Sequence, residues 1–332
     1  MTSRRDFLKS ALSGGALLAA GTAPAEARDN LPQPPDAIGL LYDSTLCIGC
    51  KACVSACKDS NQLPMEFSTE EHLWDTPLDL SGKTKNVIKM YKDGSGENKD
   101  QEKDGFAFMK VSCLHCNDPS CVSACPVSAM TKDPKTGVVG YDESICIGCR
   151  YCVAACPFGV PRFQYDTPFP KIVKCELCRH LKPGHEKYDT YQFSACAQVC
   201  PTGATLFGPV KALKAEAERR LALKAGEATT FPRGKLGGPD SYPGKAGAYL
   251  PRIYGDREVG GTQVLKLSAV PMEKLGMPKL PERSYASVSE TMQHTLYGGL
   301  IAPIVVLGGL VAVARRNMKG EPDASGKPEQ ED

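Results

Sequence analysis

All sixteen cysteines of this 332-residue chain fall into four short groups, and none is left over. Cys47, Cys50, Cys53 and Cys57 follow a C-x2-C-x2-C-x3-C spacing, and Cys146, Cys149, Cys152 and Cys156 repeat it. Cys113, Cys116, Cys121 and Cys125 widen the middle step to four residues around the turn Asn117-Asp118-Pro119, and Cys175, Cys178, Cys196 and Cys200 open it to 17. This is ligand chemistry for [4Fe–4S] clusters. Three thiolates two residues apart wrap three corners of one cubane on a tight loop, while the x3 step throws the fourth onto a helix that faces a neighbouring cluster. Gly49 and Gly148 suit a loop that must bend close to a cluster with no Cβ in the way. A proline follows the last cysteine of three groups (Pro126, Pro157 and Pro201). Lys58 takes that place in the first, a departure that touches the loop after the ligand and not the ligand itself.

Two other uses of cysteine fit less well. Disulfide frameworks in exported chains rarely carry four C-x2-C pairs. Zinc accepts four thiolates, but a closed d10 ion has no use for three consecutive short steps followed by x3 and proline. Four clusters with no catalytic signature describe a chain that moves electrons without making or breaking bonds; a scaffold with purely structural metal is the competing class. Of the five histidines, His115 sits between two ligands and could hydrogen-bond a cluster, His72, His180 and His185 read as surface residues, and His294 reads as an interfacial one. Trp74 has no role beyond packing.

The elements that must hold these groups show a duplication: Tyr42-Asp43-Ser44-Thr45-Leu46-Cys47-Ile48-Gly49-Cys50 recurs 99 residues later from Tyr141 to Cys149, and the eleven residues from Cys47 and from Cys146 match at eight positions. Such a repeat is the mark of a small unit copied within the chain. Residues 58–112 are polar, with a Gly94-Ser95-Gly96 turn, and read as an insertion with strands at Asn86–Tyr91 and Phe106–Val111. Val210–Ala225 has an amphipathic helical pattern with Gly226 as its stop. Thr229–Gly261, dense in glycine and proline, should wind over the surface before a short strand at Gln263–Leu267. With 42% apolar residues the chain can fold a core, and a formal charge of +2 gives no field for nucleic acid.

The two ends address the chain. Ser3-Arg4-Arg5-Asp6-Phe7-Leu8-Lys9, an apolar run from Ala11 to Ala20 and Ala25-Glu26-Ala27 form a twin-arginine export signal with cleavage after Ala27. That route carries folded proteins, so export implies no disulfides. Thr291–Ala314 is 24 residues without Asp, Glu, Lys or Arg. As a helix it reaches ~36 Å, enough for a ~30 Å hydrocarbon core. Arg315, Arg316 and Lys319 follow, which by the positive-inside rule puts the C-terminus in the cytoplasm and the rest on the periplasmic face of the inner membrane. Gly320–Asp332 reads as a short disordered tail.

The spacings 2-2-3, 2-4-3, 2-2-3 and 2-17-3 resemble those of the iron–sulfur subunits of membrane-linked formate dehydrogenase, nitrate reductase and dimethyl sulfoxide reductase. With the export signal, the segment from Tyr254-Gly255-Asp256 to Gly260-Gly261-Thr262-Gln263-Val264-Leu265, and Gln293-His294-Thr295-Leu296-Tyr297, the chain looks like the ferredoxin-type subunits of bacterial hydrogenase complexes within that family. The resemblance implies an α+β fold: two ferredoxin-like two-cluster modules with insertions, plus a single C-terminal transmembrane helix. The layout would be a signal at 1–27, a four-cluster core at 28–209 with the insertion at 58–112, a C-terminal segment at 210–290, the span at 291–314 and the tail at 315–332. Spacing alone supports cross-ligation within pairs of groups, and the resemblance supplies which groups pair. It implies cluster 1 on Cys47, Cys50, Cys53 and Cys200, and cluster 2 on Cys57, Cys175, Cys178 and Cys196. Cluster 3 would be on Cys113, Cys116, Cys121 and Cys156, and cluster 4 on Cys125, Cys146, Cys149 and Cys152. It also implies partners: the small and large subunits of a [NiFe] hydrogenase as donor and an integral membrane quinone-reducing subunit as acceptor. A molybdenum enzyme such as formate dehydrogenase is the alternative donor.

Overall fold

The computed structural model describes residues 26–67, 69, 71 and 76–318. The export signal, apart from Glu26 and Ala27, lies outside these residues, as do His72, Trp74 and the tail from residue 319. The chain divides into two units, one of residues 29–286 and one of residues 1–28 with 287–332.

The first unit is built on a four-stranded sheet that draws on both ends of its sequence. Strand β1 (Ile38–Asp43) lies between β9 (Thr205–Pro209), antiparallel with Leu41 opposite Leu206, and β13 (Val264–Leu267), parallel with Leu41 opposite Leu265. The two-residue β11 (Gly234–Lys235) extends it beyond β9. Strand geometry sends alternate side chains to opposite faces, and β1 is apolar on both. Leu40 and Tyr42 enter a core that also contains Cys47, Cys53 and Cys200. Leu41 points the other way, to Leu206, Leu265 and Leu267, where helix α5 (Val210–Ala222) closes over it with Leu213 and Ala217. Burying a leucine there contributes about 1.5–3 kcal/mol. The sheet therefore has one apolar face and one that carries sulfur.

Four short helices, α1 (Ala52–Ser60), α2 (Ser120–Ser123), α3 (Tyr151–Ala155) and α4 (Ala195–Gln198), carry the third cysteine of each group. Of the fourth cysteines only Cys57 lies on its helix, so the expected placement of the fourth on a helix fails for Cys125, Cys156 and Cys200. The proline after a group's final cysteine disfavours helical backbone at the residue before it, and Cys156 indeed leaves α3 with φ −77° and ψ 114°. Lys58 lifts that restriction, so α1 runs on through Cys57 to Ser60. Lys58 is itself buried, and its Nζ donates to the carbonyls of Pro64 and Lys83 and to Thr84 Oγ1.

The expected hairpin in 58–112 is β2 (Asn86–Lys92) antiparallel to β4 (Gly105–Ser112), each strand one residue longer than its pattern at one or both ends, with β3 (Asn98–Lys99) alongside. Two small ribbons, β5 (Met130–Lys132) with β6 (Val139–Tyr141) and β7 (Arg162–Phe163) with β8 (Ile172–Val173), flank the third cysteine group. Three expectations need correction. Helix α5 ends at Ala222, four residues before Gly226, because Leu223 turns extended and packs on the sulfur-bearing core. Thr229–Gly261 is no surface coil: β10 (Ala228–Pro232) pairs antiparallel with β12 (Ser241–Lys245), and Phe231, Ala246 and Tyr254 are buried. Finally, the strand expected from Gln263 begins at Val264.

Apart from its first two residues, α6 (Tyr285–Met318) lies in the second unit, and it begins six residues before the expected span. It is long and apolar enough to cross a membrane, and Leu296, Leu300, Ile304, Leu307 and Val311 are exposed along it. A helix apolar all round is suited to lipid. Arg28 Nε pairs with Glu290 Oε2 at 2.7 Å in the same unit.

Candidate metal centres

The duplicated sequence folds into duplicated geometry. After β1, Asp43 Oδ1 accepts from the Thr45 backbone N–H (3.0 Å) and hydroxyl (2.7 Å); after β6, Asp142 Oδ1 accepts from the Ser144 N–H (2.9 Å) and hydroxyl (2.6 Å). These side-chain turns deliver the first cysteine of each run. The chain then enters left-handed backbone twice, at Gly49 (φ 71°) and Lys51 (φ 59°), and in the copy at Gly148 (φ 69°) and Arg150 (φ 63°). A Cβ on Gly49 would meet the Phe108 ring at 2.4 Å, whereas one on Gly148 would lie 3.6 Å from Phe163. Conformation demands glycine in both loops, and space demands it in the first alone.

All sixteen thiols are free, and the fold gathers them into four sets drawn from distant parts of the chain. Cys47, Cys50 and Cys53 line a cavity with Cys200, and Cys146, Cys149 and Cys152 line another with Cys125. The remaining two sets are seen in their mutual electrostatics. Burial pushes the Cys175 thiol up, and the charges that would stand on Cys57, Cys178 and Cys196 push it further. Cys116 is raised by burial and then by Cys113, Cys156 and Cys121. Neighbouring sets lie within electrostatic reach in order: Cys53 of Cys196, Cys175 of Cys113, and Cys121 of Cys152. The sets thus form a line from the Cys47 loop to the Cys146 loop, whose tips Ile48 and Ile147 are both exposed.

The donor chemistry fits a [4Fe–4S] cluster. Sulfur acceptors meet fixed donors: the N–H of Thr205 lies 3.4 Å from Cys200 Sγ, that of Leu177 3.4 Å from Cys175 Sγ, and that of Met130 3.5 Å from Cys125 Sγ. Asn61 Nδ2 is 3.7 Å from Cys57 Sγ. Burial raises Cys152 to about 11 and Cys121 and Cys178 to about 12. Such thiols keep their protons at neutral pH until a metal displaces them. Among the described residues no three Cys, His, Asp or Glu side chains converge on one ion's position.

His115 is fully buried, and its Nδ1 accepts from the Val139 N–H at 3.0 Å, which puts the ring proton on Nε2. Burial, then Lys174 and Lys132, depress its pKa well below the usual range, so it is neutral. His180, expected at the surface, is half-buried, with Nε2 2.8 Å from the Ser60 carbonyl at the end of α1. Sequence reasoning missed the buried lysines. Lys132 Nζ donates to the Cys116 and Gly137 carbonyls at 2.9 Å each, Lys174 Nζ to the carbonyls of Val139 and Cys175, and Lys110 and Lys266 lie between β4 and β13. The signal available was Lys110 inside the otherwise apolar Phe106-Ala107-Phe108-Met109-Lys110-Val111.

Two family models, each described as a 4Fe-4S dicluster domain, match residues 46–129 and 105–210. The hydrogenase-2 operon protein HybA of Escherichia coli O157:H7 is 48% identical over 321 residues, 96% of each chain. The iron-sulfur subunit of the nitrate-inducible formate dehydrogenase of Escherichia coli K12 is 32% identical over 297 residues, 88% of this chain and 86% of its own. The NrfC homolog of Haemophilus influenzae is 33% identical over 224 residues, 67% and 86% respectively. Overlapping dicluster matches across the cysteine groups, and relatives matched along nearly their whole length, lead to one assignment: the chain belongs to the [4Fe–4S] dicluster family that includes HybA and the formate dehydrogenase iron–sulfur subunits, and is an electron-transfer protein carrying four [4Fe–4S] clusters.

Proposed function

We propose that the chain relays electrons, without catalysing a reaction itself, from a periplasmic [NiFe] hydrogenase to a quinone-reducing integral membrane subunit. The relay reading is supported by the order of the four cysteine sets, each within electrostatic reach of the next. The identity of the donor is supported by the 48% identity with the hydrogenase-2 operon protein. The ligand sets are Cys47, Cys50, Cys53 and Cys200; Cys57, Cys175, Cys178 and Cys196; Cys113, Cys116, Cys121 and Cys156; and Cys125, Cys146, Cys149 and Cys152. Each two-cluster module exchanges one cysteine between its halves, as the x3 step requires. The layout is an export signal at 1–27, the cluster core to 209, the C-terminal segment to 290, a span at 291–314 and a cytoplasmic tail. Twin-arginine export with the span as anchor leaves the clusters at the periplasmic face of the inner membrane.

A [4Fe–4S] cluster, when bound, supplies a one-electron carrier whose potential is set by charge, hydrogen bonds and burial. The chain's own residues do the rest. The thiolates hold and space the sites, the N–H groups of Thr205, Leu177 and Met130 steady the charge on sulfur, and the packing of Tyr42, Leu46 and Val54 keeps water out. Ile48 and Ile147 mark the two ends at which partners would bring their own carriers close. A second reading, a subunit of a molybdenum enzyme, is favoured by the 32% identity with the formate dehydrogenase subunit. Cys50→Ala in the intact membrane complex tests the relay: hydrogen-dependent quinone reduction should stop while the chain still reaches the membrane, and unchanged reduction would defeat the assignment.

A further inference from the structure

The two duplicated turns are held differently from behind. In the second copy Asp142 is exposed, and among the described residues its carboxylate bonds to Ser144 alone. Asp43 of the first copy is fully buried. As the last residue of β1 it shares the Leu41 face of the strand, under α5, where Leu213, Glu216, Ala217 and Arg220 form one buried helical stripe. One of its oxygens, Oδ1, serves the Thr45 turn; the other, Oδ2, accepts from Arg220 Nη1 at 2.9 Å and from the Tyr249 hydroxyl at 2.7 Å. Tyr249 Oη also lies 3.2 Å from Thr45 Oγ1. Arg220 is fixed in its turn, with Nε donating to Glu216 Oε1 at 2.8 Å and the guanidinium carbon 5.1 Å from the centre of the buried Phe231 ring of β10. The side chains of Arg220 and Asp43 are both wholly shielded from solvent. Such a pair is a weak source of stability, because desolvation offsets its attraction. Arg220 also leaves Nη2 without a partner among the described residues, so stability is a poor account of its place. What the arrangement does fix is geometry.

We propose that Arg220 is a positioning residue for the first cluster site: together with Tyr249 it holds Asp43 from behind, and through the Asp43–Thr45 turn it sets where Cys47 and Cys50 present their sulfurs. Thr45 stands two residues before Cys47, so a carboxylate that cannot rotate gives a turn that cannot drift. The Cys146 loop has no such hold on its Asp142. Residues 210–290 carry no cysteine, and the latch gives them a part in the relay, since Arg220, Phe231 and Tyr249 all come from that segment. Arg220 acts through Asp43 and touches no ligand in this account. The inference rests on the ligand set of Cys47, Cys50, Cys53 and Cys200 proposed above.

The test is EPR of the complete membrane complex, reduced, with Arg220→Gln and with Tyr249→Phe. The first removes the guanidinium; the second removes one hydrogen bond to Asp43 and leaves every charge in place. A Cys50→Ser reference marks which signal belongs to the Cys47 loop. That signal, and no other, should broaden in both variants, because a loosened turn spreads the cluster over a range of geometries. The same signal should be lost to an iron chelator about tenfold faster in Tyr249→Phe than in the unsubstituted protein, the effect of removing one hydrogen bond to a charged group. A latch that only stabilised the fold would leave the line shape of the folded molecules as it was. Unchanged lines, broadening of a different signal or of all four, or an effect of Arg220→Gln with none of Tyr249→Phe would each overturn the proposal, the last because it would mean charge acting at a distance. If Arg220→Gln does not assemble, Tyr249→Phe decides alone. Iron analysis separates the two levels: fewer than four clusters in the unsubstituted protein refutes the ligand sets, and four clusters with unaltered lines in Tyr249→Phe refutes the latch.

Discussion

Alanine at Gly49 and alanine at Gly148 perturb two copies of one loop unequally. Both positions have nearly the same left-handed backbone, φ 71° and 69°. A side chain there costs about 1–2 kcal/mol in either copy. At Gly148 that is the whole cost, since the nearest atom to a new Cβ is a Phe163 carbon at 3.6 Å, an ordinary contact. At Gly49 the Cβ would fall 2.4 Å from the Phe108 ring, and that ring is buried and packed edge-on against Phe106 at 5.7 Å. Overpacking of this kind adds about 1–3 kcal/mol. The difference between the two substitutions is then about 1–3 kcal/mol, roughly a 5- to 150-fold difference in how often each loop opens. Chelator-driven bleaching under anaerobic conditions reads that opening directly, because iron leaves through the open state when reclosure is fast. Each variant should lose a quarter of its cluster absorbance faster than the unsubstituted protein does, and the acceleration for Gly49→Ala should exceed that for Gly148→Ala at least about fivefold. Equal accelerations, or a larger one at Gly148, would refute both the Phe108 contact and the reasoning from it.

Other expectations follow from the face of the sheet opposite the clusters and from the anchor. Glu216 is buried against the guanidinium groups of Arg219 and Arg220, with Nε of Arg220 at 2.8 Å. Burial raises its pKa, but the hydrogen bonds from Arg219 and Arg220 prevail and hold it below the usual value. A depressed carboxylate stabilises the fold above its unfolded pKa, ~4.3, and that stabilisation is lost as pH falls through the folded value. Glu216→Gln should therefore cost about 1 kcal/mol at pH 7, the difference between a charge-assisted and a neutral hydrogen bond. The gap in apparent melting temperature between the two proteins should close on acidification below about pH 4; a gap independent of pH would show that Glu216 acts by packing alone. Truncation before Thr291 should release the exported protein into the soluble fraction, and persistent firm attachment would mean that partners hold it in place of α6.

The dicluster character was legible because cubane ligation leaves a local cysteine spacing, and the turn-and-glycine geometry of the Cys47 and Cys146 loops repeats in sequence as it does in space. What joins Cys200 to the Cys47 loop was not legible from spacing. The entropy of closing a loop grows only slowly with its length, so sequence distance scarcely discriminates among partners, and the resemblance had to supply the pairing. The parallel pairing of β13 with β1 escaped for a similar reason: a strand of four residues has too little pattern to name its neighbour. In Thr229–Gly261 the glycines and prolines marked real turns but hid the strand Ala228–Pro232 between them. The buried lysines escaped because alternation assigns a lysine in a strand to the solvent face, whereas Lys266 is held inside by the carbonyl of Lys110, a partner from a distant segment.

The central claim, a relay fed by hydrogen, is tested most directly by colour. The chain, purified from membranes in mild detergent without oxygen together with whatever it holds, should show the broad visible absorption of iron–sulfur clusters, and adding hydrogen should bleach it with a hydrogenase present in the preparation. A preparation that keeps its colour under hydrogen and loses it on adding formate would contradict the hydrogenase assignment and move the chain to the molybdenum-enzyme branch of its family.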